Sequence, residues 1–256
     1  TKFKNMEAGM KKFMKMFMYC GISTTFWGFM FGSFFGDAVN VIATTFFNRP
    51  DIRLAPLWFE PVSLPMKLLV FAFGLGILHL FIGLGIKFYS CVKNGSLADG
   101  IYDAIFWYML VGGGIVYLLT MPMFTEMLGL TFTLPAVAGT VAAYAAAIGF
   151  VGIVLTSGRE SKNWVKRILK GLYGAYGVSS YLSDILSYSR LLALGLATSV
   201  ISTVFNKMGS MMGGSIPGAI IFILVFLIGH SLNLAINALG AYVHTNRLQY
   251  VEFFGK

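Results

Sequence analysis

The sequence predicts an all-α polytopic membrane protein with six transmembrane helices, the last two long and tilted. Three observations lead there. Charged residues make up only 11% of the 256 residues, against about 25% in soluble domains. Hydrophobic residues make up 57%, and they fall in runs long enough to cross a bilayer as helices. Segments of about ten residues alternating in polarity, the mark of a transmembrane β-barrel, do not occur. Lipid is therefore the expected surrounding. The net charge of +9 does not point to nucleic acid, because the basic residues sit mostly between apolar runs, where they set orientation.

The chain reads as a single transmembrane domain over 1–256: a basic lead-in (1–15), four helices (16–156) and two long helices (164–256). Thr1 to Lys15 carries five lysines and one glutamate among Met and Phe, a basic amphipathic segment suited to a cytoplasmic membrane surface. The first span runs from about Met16 to Phe35, with Gly28, Gly32 and Gly36 at a spacing that puts them on one helix face for close approach of a neighbour. No strand precedes these glycines and no Lys-Ser/Thr follows, so they do not form a phosphate loop. Asp37 to Pro65 is the longest break. Pro50, Pro56, Pro61 and Pro65 exclude a regular helix through its second half, and Trp58 and Phe59 place it at the interface.

The second span, Met66 to Ser90, contains His79, which is expected to pack or to bond a neighbouring helix. A polar turn, Cys91 to Asp99, leads to the third span, Gly100 to Met121, which Pro122 ends. Pro122 to Leu134 is a loop with Glu126 and no basic residue. Pro135 to Thr156 is the fourth span. The loop from Ser157 to Lys170 carries Arg159, Lys162, Lys166, Arg167 and Lys170. The fifth helix starts near Trp164 and reaches about Met212. The sixth starts after Pro217 and reaches at least Phe254. Lys and Arg concentrate in alternate connections, so the positive-inside rule places both chain ends and the 157–170 loop in the cytoplasm. Cys20 and Cys91 sit in or beside apolar runs and read as small apolar side chains. The chain starts without Met and ends abruptly, and is expected to be a fragment of a longer polypeptide.

Function is carried by the last two helices. From Gly171 to Asn206 the only charged residues are Asp184 and Arg190. Arginine stays protonated at physiological pH, and near a bilayer centre it costs roughly 3 kcal/mol on insertion scales. Such a charge marks a pathway. Asp184 is a poor partner within the helix, since six residues correspond to a rotation of about 240°. Upstream of Arg190, Ser179, Ser180, Ser183, Ser187, Tyr188 and Ser189 make a wettable half. Downstream, Leu191 to Ala197 is apolar. On the sixth helix, His230, Asn233, Asn237, Gly240, His244 and Arg247 are spaced 3, 4, 3, 4, 3 and fall within an arc of about 100°. That stripe is about 25 Å long, and it must face protein or water. Polar residues of this kind also serve merely as interhelical hydrogen bonds of about 0.6 kcal/mol each, which is the competing expectation for Asn233 and Gly240.

Three stretches carry a family resemblance. Ser-Tyr-Ser-Arg190-Leu-Leu-Ala-Leu-Gly-Leu-Ala and Val-His244-Thr-Asn-Arg247-Leu-Gln-Tyr-Val-Glu252-Phe-Phe-Gly-Lys resemble the C-terminal membrane domain of the a subunit (subunit I) of V/A-type rotary ATPases. Cys20 to Gly36 resembles its bacterial and archaeal branch. The resemblance covers essentially the whole chain. It implies a membrane stator that forms two ion half-channels against a rotor ring of small membrane subunits, each bearing a carboxylate. Arg190 and Arg247 match the family's essential arginines and His244 the histidine before the second of them. Together with Asn237, Asp184 and His230 these are the expected ion-translocation residues, with Ser180, Ser183, Ser187, Asn233, Gln249 and Glu252 as half-channel lining. The resemblance further implies peripheral-stalk contacts through an N-terminal domain, and eight family helices of which this chain holds the last six. It implies H⁺ or Na⁺ as the transported ion, no cofactor, and a prokaryotic plasma membrane. Eukaryotic members have a histidine at the position of Thr198 and acids near those of Tyr176 and Asn237. Here these sites do not titrate near neutral pH, which leaves a water-filled path or Na⁺ transport open. No nucleotide loop, metal cluster or nucleophile–base set is visible, so no ATP site is expected in this chain. The alternative is a secondary transporter or channel acting alone, but the inverted repeat such proteins often carry is not evident. A non-transporting scaffold, in which both arginines would be replaceable, is a third class.

Overall fold

The structure is a computed structural model that describes residues 7–52, 54–130, 132–158 and 164–254, without the side chains of Trp164 and Arg167. Lys2 and Lys4 of the lead-in, and Arg53, Arg159 and Lys162 of the connections, lie outside the described residues. The helices in order are α1 (Ala8–Phe31), α2 (Ala38–Phe47), α3 (Pro65–Lys93), α4 (Leu97–Leu119), α5 (Pro122–Met127) and α6 (Ala136–Thr156). They are followed by α7 (Trp164–Tyr176), α8 (Val178–Ser187), α9 (Ser189–Ser210) and α10 (Ile216–Arg247), which a π-helical turn (Leu248–Phe253) extends.

Among the described residues five helical segments, not six, are long and apolar enough to cross a membrane: 65–93, 97–119, 136–156, 168–210 and 216–253. The expected first span is the difference. Helix α1 forms there but carries Lys11, Lys12 and Lys15 in its first half and Gly21, Ser23, Thr24 and Thr25 in its second, which dilutes its apolar character. The expected glycine face also divides. Only Gly28 lies within the helix; Gly32 caps it at φ +63°, and Gly36, at φ +70°, lies beyond. A Cβ on Gly32 would stand 2.6 Å from the Pro56 Cα, and one on Gly36 2.8 Å from the Ser202 Cβ. Both positions need glycine for conformation as well as for space.

Two short helices form where loops were expected. The apolar run of α2 is helical until Asn48 adopts a left-handed conformation at φ 48°. Helix α5 starts on Pro122, whose fixed φ suits a first helical position. The expected fifth helix has the predicted extent but is interrupted after Tyr176 and after Ser187, giving α7, α8 and α9.

The chain divides into two compact units: residues 1–65 with 194–240, and residues 66–193 with 241–256. In the first, aromatic contacts join α2 to α10, with Phe46 and Phe222 ring centroids 5.3 Å apart. Gly229 receives the Phe205 ring and Gly209 the Phe222 ring, so α9 and α10 approach closely here. In the second unit, Leu80, Leu84, Ala104, Val111 and Tyr181 form a buried cluster, with Phe81, Trp107, Tyr108 and Ile185 against it. Two π-helical turns, Ile101–Ile105 and Tyr108–Gly112, lie within α4. A Tyr108 hydroxyl donates to the Phe81 carbonyl. Helix α4 meets α6 through small residues: a Cβ on Gly149 would lie 2.7 Å from the Leu110 nitrogen and 2.8 Å from the Phe106 oxygen. The obstructing atoms are backbone, so they cannot rotate away.

Gly149→Val therefore overpacks this contact, at about 1–3 kcal/mol or more, and a thermal-stability measurement in detergent should show a clear drop. Gly114→Val, where nothing lies within 4 Å of the added Cβ, should leave the transition near the parent value.

Candidate functional site

The polar residues of the last two helices sort into two clusters, one in each unit. In the first unit, Asn206 is fully buried, at 0% exposure. Its Nδ2 donates to the Phe35 carbonyl at 2.8 Å and to Asp37 Oδ1 at 3.0 Å. Its Oδ1 lies 2.9 Å from His230 Nε2. The left-handed turn at Phe35 and Gly36 brings that carbonyl into place. The His230 ring stands between Phe35 and Phe226, with centroids 5.1 and 4.3 Å away. One turn further along α10, Asn233 Nδ2 donates to Ser202 Oγ at 2.8 Å and to the Thr198 carbonyl at 3.2 Å. Asn237 Nδ2 donates back to the Asn233 carbonyl at 2.8 Å. A Cβ on Gly240 would meet Leu194 at 3.2 Å. The Thr198 hydroxyl donates to the Leu194 carbonyl at 2.7 Å. His230, Asn233 and Gly240 of the predicted stripe thus face α9, and Asn237 bonds back to Asn233. Buried amides with their donors committed to protein serve as a clamp between helices, where leaving one unpaired costs about 1–3 kcal/mol.

The second cluster holds both arginines. Arg190 Nη2 donates to Ser187 Oγ at 3.0 Å and lies 3.6 Å from Glu252 Oε1. Arg247 Nε lies 4.0 Å from the same oxygen. Glu252 is buried, at 3% exposure, while the Arg190 and Arg247 side chains are 23% and 61% exposed. One oxygen of a buried carboxylate therefore lies within 4.0 Å of both guanidinium groups. Beside it, His79 Nδ1 and the Tyr188 hydroxyl are 2.6 Å apart, and the His79 ring stacks on Phe253 with centroids 4.4 Å apart. Gly76 makes room: a Cβ there would lie 2.8 Å from the Tyr188 ring.

Of the residues singled out from sequence, Arg190, Arg247, Glu252 and Ser187 meet here. His244 and Gln249 are half-buried on the same terminal segment, and Asp184 is half-buried in α8. Ser180, Ser183 and Tyr176 are exposed. His230, Asn233 and Asn237 belong to the other unit. Sequence reasoning expected His79 to pack or to bond a neighbouring helix, and it does both, but the partner Tyr188 lies 109 positions away, beyond the reach of any spacing rule.

The described residues thus bring two arginines of an apolar helical protein within 4.0 Å of one buried acid. No family model matches the chain. It is 30% identical over its whole length to the A-type ATP synthase subunit I of Methanocaldococcus jannaschii, spanning 38% of that protein. It is 31% identical over 98% of its length to the A-type ATP synthase subunit I of Thermococcus kodakarensis, spanning 35% of it. The V-type ATP synthase subunit I of Chlamydia trachomatis is 24% identical over 96% of the chain, with 42% of that protein covered. The chain is thus a homologue of the A-type and V-type ATP synthase subunit I proteins, and it spans about two fifths or less of the length of these relatives. With its apolar helices, that makes it an integral membrane protein.

Replacing Asn206 by leucine strands the His230 nitrogen, the Asp37 carboxylate and the Phe35 carbonyl together. The expected loss is about 1–3 kcal/mol for each group left unpaired, read as a lowered thermal transition. Asn237→Leu, which removes bonds only to the neighbouring Asn233, should lose clearly less.

Proposed function

We propose that this chain is the ion-conducting membrane part of the stator of a V/A-type rotary ATPase. In this reading it lines two half-channels against a ring of small membrane subunits, each bearing a carboxylate. The observation that carries the reading is the approach of both Arg190 and Arg247 to one oxygen of a buried carboxylate, in a chain homologous over its length to subunit I proteins. A loaded rotor carboxylate arriving at Arg190 meets a fixed cation. At about 4 Å and an effective dielectric near 20 the attraction is roughly 4 kcal/mol, which favours the ionised carboxylate by about three pKa units. H⁺ or Na⁺ is then released into one half-channel. The emptied carboxylate moves on and reloads from the other, and the fixed positive charges block direct passage of cations between the two paths.

His244, Gln249, Ser180, Ser183, Ser187 and Asp184 line the path in this scheme, while in the other unit His230, Asn233 and Asn237 belong to the polar clamp between α9 and α10. The chain holds no ATP site and couples to catalysis through its partners, including peripheral-stalk subunits. In this reading α1 also crosses, giving six spans, and the chain sits in a prokaryotic plasma membrane with both ends and the 157–170 connection on the cytoplasmic side.

Arg190→Ala should abolish ATP-driven ion transport in reconstituted vesicles while the complex still assembles. Arg190→Lys should restore only a small part, because a compact ammonium lacks the planar fork of guanidinium. Wild-type transport by the alanine variant would overturn the proposal. Running the same assay with and without Na⁺ at fixed pH identifies the ion.

A further inference from the structure

Glu252 is not where a regular helix would put a partner for Arg247. Residues five apart on an α-helix are separated by about 140° of rotation. The last turn of this helix is not α-helical. Leu248–Phe253 is a π-helical turn, and the Phe254 amide donates to the Gln249 carbonyl at 3.2 Å, five residues back. Widening the turn brings residue 252 round toward residue 247. Such turns are uncommon and are frequent at functional sites. Here it delivers one carboxylate oxygen to both arginines at once.

The resulting contacts are loose. Charge-assisted guanidinium–carboxylate bonds close to about 2.7–2.9 Å, whereas these stand at 3.6 and 4.0 Å. Arg190 Nη1 and Glu252 Oε2 are buried and make no hydrogen bond among the described residues. Glu252 thus offsets the charge of the arginines without occupying the guanidinium fork of Arg190. The acid is also held from behind. Its neighbour Phe253 stacks on His79, and His79 bonds the hydroxyl of Tyr188, two residues before Arg190. The same three-residue contact fastens both the Arg190 and the Glu252 segments.

We propose that Glu252 is a positioning residue that acts as the internal counter-ion of Arg190 and Arg247, competing with an external carboxylate for them. This rests on the stator reading above. While no rotor carboxylate is opposite, Glu252 holds the two guanidinium groups in place. When one arrives, it approaches the exposed part of the Arg190 side chain, which is 23% accessible. When it leaves, Glu252 takes back the charge, so the arginine does not retain its visitor. Without Glu252 the rotor carboxylate stays ionised against the arginines longer, and reloading requires more of the transported ion.

The test is Glu252→Gln, which keeps shape and removes charge, in the full complex in vesicles. The rate of ion-driven ATP synthesis is measured per assembled complex while the entry-side pH, and in parallel NaCl at fixed pH, is varied. The expected result is a shift of the half-saturating concentration of the transported ion to about tenfold higher values, with much of the maximal rate recovered at saturation. Glu252→Asp, one methylene shorter, should shift the same way by less. A half-saturating concentration equal to wild type in both variants, with rates that merely follow the amount of assembled complex, would overturn the proposal. So would failure of both variants to assemble, which would make the residue structural. Arg190→Ala, run alongside, separates the two ideas. If it still transports, the stator reading fails; if it is inactive and the glutamine variant is unshifted, only the role of Glu252 fails.

Discussion

A guanidinium cannot shed its charge in a protein, so an arginine in an apolar helix must find its compensation from another residue. In this chain Glu252 supplies it to Arg190 and Arg247 together. Much of the local structure follows from that need. Tyr188 ends α8 and separates it from α9, so Arg190 sits in the first turn of a new helix with Ser187 Oγ as a hydrogen-bond acceptor. The terminal helix widens into a π-turn that carries the acid. His79 ties the residues next to both charges to α3. Removing one partner of a buried pair leaves an uncompensated charge, which is far costlier than the modest net value of the pair itself.

The two clusters meet the same problem, polar groups among apolar helices, in different ways. The Asn206–His230–Asn233 cluster is closed: its amide donors are committed to backbone or side-chain acceptors over short distances. It fixes α10 against α9 within its unit. The arginine cluster is open: its contacts are longer, and Arg247 is more than half exposed. The first cluster is thus rigid, and the second keeps spare bonding capacity.

The helical class and the extents of the last four apolar segments were legible because they depend on composition and periodicity. The stripe from His230 to Gly240 was legible as a face, and the structure puts that face on α9. Other features were hidden for identifiable reasons. Glu252 was read only as lining because five-residue spacing is unfavourable in an α-helix, and a π-turn leaves no clear mark in sequence. His79 looked solitary because its partners are far away in the chain. Gly32 and Gly36 were assigned to a packing face because their spacing fits one; their positive φ values show that the helix has already ended. Five rather than six helical segments among the described residues meet the length and apolarity of a span, because α1 dilutes its apolar residues with lysine, glycine and hydroxyl groups.

The central claim is that the Arg190–Glu252–Arg247 cluster is the surface past which ion-carrying carboxylates move. A structure of the assembled complex at a resolution that shows side chains tests it most directly. The account predicts a rotor carboxylate within ion-pair distance, about 4 Å, of Arg190 or Arg247, on the face away from Glu252. A ring seated against another face of the chain, with both arginines turned toward lipid or toward the chain's own interior, would contradict it.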